Sequence, residues 1–246
     1  MPSSLLLKLK CGARLDDADC DRLQSVVSKV RRVKSHENII REGDVPEDVH
    51  LILDGLACRY KNLRDGKRQI MALLIPGDFC DLHVAILGEM DHGIATLTAC
   101  KVVDIPRATV DELILDHPRI ARSLWWATLV DEAILREWLV NMGNRPADRR
   151  MAHLFFELFV RMRTVGRVSQ NSYRLPLTQE ELGDVLGLSI AHVNRTLQHL
   201  REDGLVIFAD KILTIPDVEQ LRSYADFNPN YLHLDVGRRE SALPIL

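Results

Sequence analysis

The spacing of apolar residues divides the chain into a strand-rich first part and a helical second part. Glycines recur at near-equal intervals in the first part, at Gly43, Gly55, Gly66 and Gly77, and turn residues spaced in this way are typical of a meander of short strands. Strand-like apolar runs accompany them at 49–53, 56–60, 69–75, 94–100 and 102–105. The pattern therefore predicts a β-sandwich or β-roll over about 36–106.

The segment after Pro106 changes to helical spacing. Because turn signals are missing from Thr109 to Gly143 except at Pro118, one long helix is predicted there. Its apolar stripe approximates a heptad seam and is the predicted dimer interface, consisting of Ala121, Leu124, Thr128, Leu135, Leu139 and Met142. The remaining large side chains, Trp125, Ile134 and Trp138, are expected to pack against the β-domain. A core helix of a monomer would show a similar stripe.

A hinge is predicted at 143–146, because Gly143 is expected to end one helix and Pro146 suits the first turn of the next. That next helix is predicted over 147–162, and a polar loop is predicted over 164–172.

The segment 177–200 predicts two helices joined by a tight turn. Thr178 and Glu181 form a capping box for the first helix, Gly187 ends it, and Ser189 can cap the second. Gly183 lacks a side chain and is expected to let the two helices cross closely. The predicted buried faces are Leu182, Val185 and Leu186 in the first helix and Val193, Leu197 and Leu200 in the second.

The outer face of the second helix carries side chains suited to DNA bases. Asn and Arg match adenine and guanine edges, and they stand side by side as Asn194 and Arg195. Two short apolar runs with Lys211 at the turn between them follow, as in a winged helix-turn-helix. The predicted DNA-contacting residues are Thr178, Gln179, Ser189, Ile190, Ala191, His192, Asn194, Arg195, Gln198 and Lys211.

Composition places the chain among ordinary globular proteins, with 46% hydrophobic and 27% charged residues. No apolar run approaches the length of a membrane span, and the N-terminus becomes charged too early for a secretory signal. A cytoplasmic protein without membrane contact is therefore predicted. The net charge of -3 gives no sign of nucleic-acid binding, because a whole-chain balance can conceal a local basic face.

The five cysteines, Cys11, Cys20, Cys58, Cys80 and Cys100, are widely spaced and include no CxxC pair. Neither a disulfide framework nor an iron-sulfur cluster is expected from this spacing. Cys80 is retained as a candidate redox sensor, although the adjacent Asp81 opposes formation of a thiolate.

From about His36 to Ile215 the chain resembles the Crp/Fnr family of bacterial transcription regulators. The motifs that carry the resemblance are the 41–44 and 76–79 turns, the long helix, the hinge, and 177–183 with Ser189 and 193–195. The resemblance implies a homodimer that binds double-stranded DNA, with RNA polymerase as a further partner. It also implies base reading by Arg195 and phosphate contacts by Thr178, Gln179 and Ser189, with Lys211 in the wing.

The predicted fold class is accordingly α+β. It comprises a jelly-roll-like sensor domain at 1–115, a dimerisation helix at 116–143, a winged helix-turn-helix domain at 144–230 and a C-terminal tail at 231–246.

The effector cassette, residues 79–83, departs from the family pattern. Cyclic-nucleotide binders in the family carry Gly-Glu-Leu and a downstream arginine, whereas no arginine lies between Arg68 and Arg107 here. Cyclic AMP is therefore disfavoured, because a buried phosphate needs charge-assisted donors, and no cofactor is predicted. Regulation by an unknown small-molecule effector is left as a possibility. The candidate pocket consists of Phe79, Cys80, Asp81, Leu82, His83, Asp91, His92, Leu135 and Arg136.

Three alternatives stay open at this stage. Asp81, His83, Asp91 and His92 could converge on a divalent metal if the cassette folds back on itself, although their spacing is not that of a tight metal motif and no metal site is predicted. The same four residues could serve a hydrolase, but no nucleophile or phosphate-loop motif accompanies them. A nucleotide-binding accessory module is the third alternative, and the helix-turn-helix argues against it.

Overall fold

The computed structural model describes residues 3–239, with side chains up to 237. The predicted tail 231–246 therefore lies within the structure only up to residue 239, and the rest of that prediction lies outside the described residues. The chain folds into two units. The second unit contains Leu135–Tyr231 together with Asn62–Ile70, and the remainder belongs to the first, including Leu232 and the described residues after it.

The first unit is built around two sheets, apart from Asn62 and 68–70 at the ends of β4 and β5, which belong to the second unit. One sheet has the order β1 (Val30–Val33), β7 (Cys100–Pro106), β3 (Asp48–Asp54). The other has the order β2 (Asn38–Ile40), β6 (Gly93–Thr96), β4 (Ala57–Asn62), β5 (Arg68–Leu74). Both contribute to the core, with Ile52 and Val103 buried in the first sheet and Ile94 and Leu73 in the second. The predicted β-rich domain is confirmed.

Helices complete this unit at α1 (Ser4–Leu9), α2 (Asp17–Ser25), α3 (Val84–Leu87) and α4 (Arg107–Asp116). The first three were not predicted. Ser3 caps α1 by accepting from the Leu6 amide, and Asp16 and Asp19 form a reciprocal capping box at α2. The described tail lies against α1, where the Gly237 amide donates to the Cys11 carbonyl at 2.7 Å.

The prediction of one long helix from Thr109 to Gly143 is wrong. α4 ends at Asp116 and α5 runs over Pro118–Asn144. Proline lacks an amide hydrogen and disfavours helical backbone in the residue before it, and His117 is indeed extended at φ -125° and ψ 81°. The α5 helix also continues through Gly143, so that glycine does not end it.

The second unit contains α6 (Ala147–Thr164), α7 (Gln179–Leu186), α8 (Ile190–Glu202) and α9 (Val218–Tyr224). A four-stranded sheet accompanies them in the order β10 (Ile207–Ala209), β11 (Ile212–Thr214), β9 (Ser172–Arg174), β8 (Val168–Ser169). A short 3-10 helix over Pro229–Leu232 and α10 (Val236–Arg239) follow.

The loop predicted over 164–172 is partly wrong, since β8 and β9 form a hairpin there. Its turn residues Gln170 and Asn171 both have positive φ, 46° and 60°, as a two-residue hairpin turn requires. The predicted wing is confirmed as the β10–β11 hairpin. Among residues 3–239, no helix is long and apolar enough to span a membrane.

Candidate DNA-reading surface and sensor site

The first helix of the predicted pair is fixed by its cap. Thr178 Oγ1 accepts from the Glu181 amide at 3.1 Å, and Glu181 Oε2 accepts from the Thr178 amide at 2.7 Å. Two amides that α7 would leave unpaired are thereby satisfied. Thr178 and Gln179 are exposed.

The turn between α7 and α8 depends on two glycines. Gly187 adopts φ 65° at the end of α7, a left-handed conformation that favours glycine. Gly183 lies against the turn itself, because a Cβ at this position would be 2.6 Å from the Leu188 carbonyl oxygen. The glycine therefore makes room for the backbone of the turn rather than for a helix crossing, and the Leu188 amide donates back to the Gly183 carbonyl at 3.1 Å.

The second helix separates a buried face from an exposed one. Ser189 caps it by accepting from the His192 amide at 3.3 Å, and Val193, Thr196, Leu197 and Leu200 are buried. The opposite face exposes Ile190, Ala191, Asn194, Arg195 and Gln198, while His192 is half-buried. Within residues 3–239 the Arg195 side chain has no hydrogen bond or ion pair, whereas Gln198 donates to Glu202 at 2.8 Å.

The wing presents Lys211 at its turn. Asp210 and Lys211 have φ of 50° and 62° and are exposed, and the Lys211 carbonyl accepts from the Leu175 amide at 2.8 Å. Arg201 near the end of α8 donates to the Phe208 carbonyl, which links the helix to the hairpin.

The sensor cassette is held by residues that the sequence pattern did not connect with it. Arg59 on β4 donates to the Cys80 and Phe79 carbonyls and to Asp131, each at 2.9 Å. The expectation of a cassette without arginine considered only residues from Arg68 onward and so missed this one. Its position within the apolar run 56–60 was the available signal, because a guanidinium removed from solvent needs anionic or carbonyl partners.

Asp81 does not join the histidines of the cassette. Its carboxylate is fully buried and accepts from the His50 amide and from His50 Nδ1, both at 2.7 Å. The hypothesis that Asp81 converges with His83, Asp91 and His92 is therefore wrong, because the Asp81 carboxylate is hydrogen-bonded to His50 on β3 instead.

The other three residues of that hypothesis, His83, Asp91 and His92, do lie close together. His83, Asp91 and His92 each offer a ligand atom within 4.8 Å of the others, and the two imidazole rings lie 5.5 Å apart between centroids. Asp91 Oδ1 pairs with His92 Nδ1 at 2.5 Å. Burial lowers the pKa of His83, and Arg59 adds to that effect. Burial also lowers the pKa of His92, against the opposing hydrogen bond from Asp91.

Other candidate pocket residues differ in their surroundings. Phe79 is buried and Leu82 is half-buried. Leu135 and Arg136 are exposed residues of the second unit, and their assignment to the pocket stays a prediction. Cys80 is fully buried, and burial together with Asp81 holds the pKa of its thiol well above the usual value. That protonated thiol is a poor redox sensor.

The predicted dimer seam coincides only in part with the exposed apolar face of α5. Leu124 is only 2% exposed within the first unit, so it does not belong to an external face. Trp125, which was expected to pack inward, is 70% exposed, whereas Ile134 is buried and Trp138 donates to Glu157 at 3.2 Å. The exposed apolar side chains of α5 are Trp125, Leu129, Leu135, Leu139, Val140 and Met142.

Comparisons with known proteins match both parts of the chain. A family model described as a cyclic nucleotide-binding domain matches residues 30–117, and one described as a Crp-like helix-turn-helix domain matches residues 149–224. The nitrogen fixation regulation protein FixK of Bradyrhizobium diazoefficiens is 25% identical over 88% of this chain and 91% of its own length.

Two further matches agree with this assignment. The transcriptional activator protein FnrL of Cereibacter sphaeroides is 26% identical over 81% of this chain and 80% of its own length. The solved structure of FixK2 from Bradyrhizobium japonicum has a TM-score of 0.72 at 24% identity, covering 80% of this chain and 97% of that one. The structural match supports the fold.

Proposed function

We propose that this chain, which belongs to the Crp/Fnr family of bacterial transcription regulators, binds an inverted-repeat DNA site as a homodimer. Its relatives are DNA-binding regulators and not enzymes, so the hydrolase alternative is set aside. The observation that carries the proposal is the exposed face of α8, where Asn194 and Arg195 project from a helix that is capped and packed on its other side.

The arrangement of that face fits major-groove recognition. A recognition helix contacts base edges with its N-terminal residues, and Asn194 and Arg195 lie in the second turn of α8. The guanidinium of Arg195 is free to pair with guanine O6 and N7. Thr178, Gln179, Ser189 and Lys211 are all exposed and are proposed to contact the phosphates.

The apolar stripe on α5 supports the dimer. Leu129 is 48% exposed and Leu139 is 75% exposed, and contiguous exposed apolar side chains mark interaction surfaces. Two copies related by a two-fold axis would place two α8 helices on successive half-sites about one helical turn apart.

The remaining parts of the proposal concern the effector and further partners. We propose that cyclic AMP is not the effector, because Arg59 is already engaged by two carbonyls and Asp131. RNA polymerase is the proposed further partner and the cytoplasm the proposed location, both on the strength of the family. Calorimetry should show no micromolar binding of cyclic AMP, and tighter binding would contradict that part.

Selection of bound sequences from a random DNA pool tests the main proposal. The expected result is an inverted repeat with one guanine in each half-site. Light scattering of the purified complex is expected to give two chains per site, that is, the mass of the DNA duplex plus twice 28.0 kDa. Selected sequences without two-fold symmetry, or a single chain per site, would contradict the proposal.

A further inference from the structure

Three potential metal ligands meet beside the loop that joins α3 to β6. His83 immediately precedes α3, and Asp91 and His92 immediately precede β6. The intervening chain folds back so that one ligand atom from each residue lies within 4.8 Å of the others. All three belong to the first unit, so the cluster is formed within one compact body.

Two imidazole nitrogens in this cluster have no partner. The Nε2 atoms of His83 and His92 are buried and accept or donate no hydrogen bond within the described part of the chain. The His92 side chain is only 10% exposed. Buried polar atoms are nearly always paired, so two adjacent exceptions need an explanation.

The hydrogen bond between Asp91 and His92 determines which ring nitrogen of His92 carries the proton. In a neutral ring, donation from Nδ1 to Asp91 Oδ1 leaves the lone pair on Nε2. Burial lowers the pKa of both histidines. A carboxylate that accepts from the far nitrogen of a histidine is the usual second partner of a metal-binding imidazole.

We propose that His83, Asp91 and His92 form a site for one divalent transition-metal ion of the zinc class, in which the Nε2 atoms of His83 and His92 are the ligands and Asp91 holds the His92 ring through its Nδ1. Imidazole ligands suit such ions, whereas Mg²⁺ and Ca²⁺ prefer sites made of oxygen atoms. Tetrahedral Zn²⁺ places its ligand atoms about 3.3 Å apart, so small side-chain rotations would close the cluster around the ion. The proposal concerns the sensor unit and does not depend on DNA binding.

The surroundings permit a cation at this place. Arg59 is the cation that most lowers the pKa of both histidines, but its charge is paired with Asp131 at 2.9 Å. The Asp91 side chain is 82% exposed, so the cluster lies close to solvent and water molecules can complete the coordination.

The test uses the full chain after treatment with a chelator, titrated with Zn²⁺ by calorimetry and with Co²⁺ by visible absorption. One ion per chain and ligand-field bands of tetrahedral Co²⁺ are expected. His83→Gln and His92→Gln should each weaken Zn²⁺ binding at least about tenfold, and Asp91→Asn should weaken it by about 10- to 100-fold. Mg²⁺ should produce no comparable heat.

His117→Gln is the matched control, because it removes a histidine of the same unit that lies outside the cluster. It should bind Zn²⁺ like the parent chain. The melting temperature of each variant without metal verifies its fold, and the half-buried position of His83 makes its variant the safer of the two. No bound ion, or unchanged binding in both His83→Gln and His92→Gln, would overturn the proposal.

Discussion

At the scale of single residues, the reading face of α8 combines one free guanidinium with small and apolar neighbours. Arg195 makes no hydrogen bond or ion pair within the described residues, so binding a base does not require it to leave a protein partner. Ile190 and Ala191 are exposed, and contact with a thymine methyl is the interaction open to them.

Arg195→Ala is expected to weaken binding to the preferred site by about 1–3 kcal/mol and to relax the preference at one base pair. Lys211→Ala should weaken binding to all sequences to a similar extent, because a wing lysine contacts phosphates rather than bases. Both variants are compared on matched and guanine-substituted duplexes at one fixed salt concentration. If Arg195→Ala still discriminates at that guanine, another residue reads it.

A buried histidine in the second unit links stability to pH. The His153 side chain is completely buried, and its Nδ1 lies 2.9 Å from Asn141 Nδ2. Burial, with a contribution from Arg145, lowers the pKa of His153 to about 3. The nearby Glu137 does not offset this, because its carboxylate pairs with Arg145 at 2.6 Å.

Stability should therefore fall as the pH decreases from about 6.5 toward about 3. In this window the unfolded chain binds a proton at His153 that the folded chain does not. His153 contributes at most about 1.4 kcal/mol per pH unit to the slope of the free energy of unfolding against pH. This contribution vanishes above the pKa that His153 has in the unfolded chain. Denaturant unfolding of the parent chain and of His153→Gln across this window measures it.

The His153→Gln variant should show a shallower dependence on acid. Glu157 titrates in the opposite sense, because burial raises its pKa, and it is present in both proteins, so the difference between the curves reports His153. Parallel curves for the two proteins would contradict the assignment.

At the scale of elements, short-range signals in the sequence were sufficient to predict the α7–α8 pair. Contacts between residues far apart in the sequence could not be predicted in this way. The caps of Thr178 and Ser189 act over three residues, so the sequence is sufficient to place them. Asp81, in contrast, pairs with His50, which is 31 residues away, and Arg59 pairs with Asp131, 72 residues away. Such partners are brought together by the tertiary fold, which residue spacing alone does not define.

Gly183 and Gly143 differ in whether the structure leaves room for a side chain. Gly183→Ala should destabilise the second unit by about 1–3 kcal/mol, because its Cβ would be 2.6 Å from the Leu188 carbonyl oxygen. Gly143→Ala should instead stabilise the protein by about 0.5–1 kcal/mol, since α5 is helical there and, apart from the adjacent residues and the backbone of the helix itself, no atom of the described residues lies within 4 Å of the added Cβ. Thermal and denaturant unfolding measure both effects. DNA affinity lost in Gly143→Ala without loss of stability would restore the hinge hypothesis.

At the scale of the whole molecule, α5 is shared by the two units, with Pro118 to Ile134 in the first and Leu135 to Asn144 in the second. Its buried residues, such as Leu124 and Ile134, belong to the protein's own core. Its exposed apolar residues have no such role and cost solubility unless another surface covers them. A second copy of α5 would bury the same stripe on both chains, as a two-fold interface requires.

Leu139→Glu is therefore expected to convert the dimer to a monomer. A two-fold interface brings the introduced carboxylates of both chains into the same apolar surface, at a cost on the order of 3 kcal/mol for each uncompensated charge. Light scattering should give 28.0 kDa instead of twice that mass, and affinity for the inverted repeat should fall because each half-site is then bound separately. Leu115→Glu is the control, since Leu115 is 77% exposed on α4 and lies outside the stripe. If Leu139→Glu keeps the mass of the parent protein, the dimer forms through another surface and the exposed stripe of α5 requires a different partner.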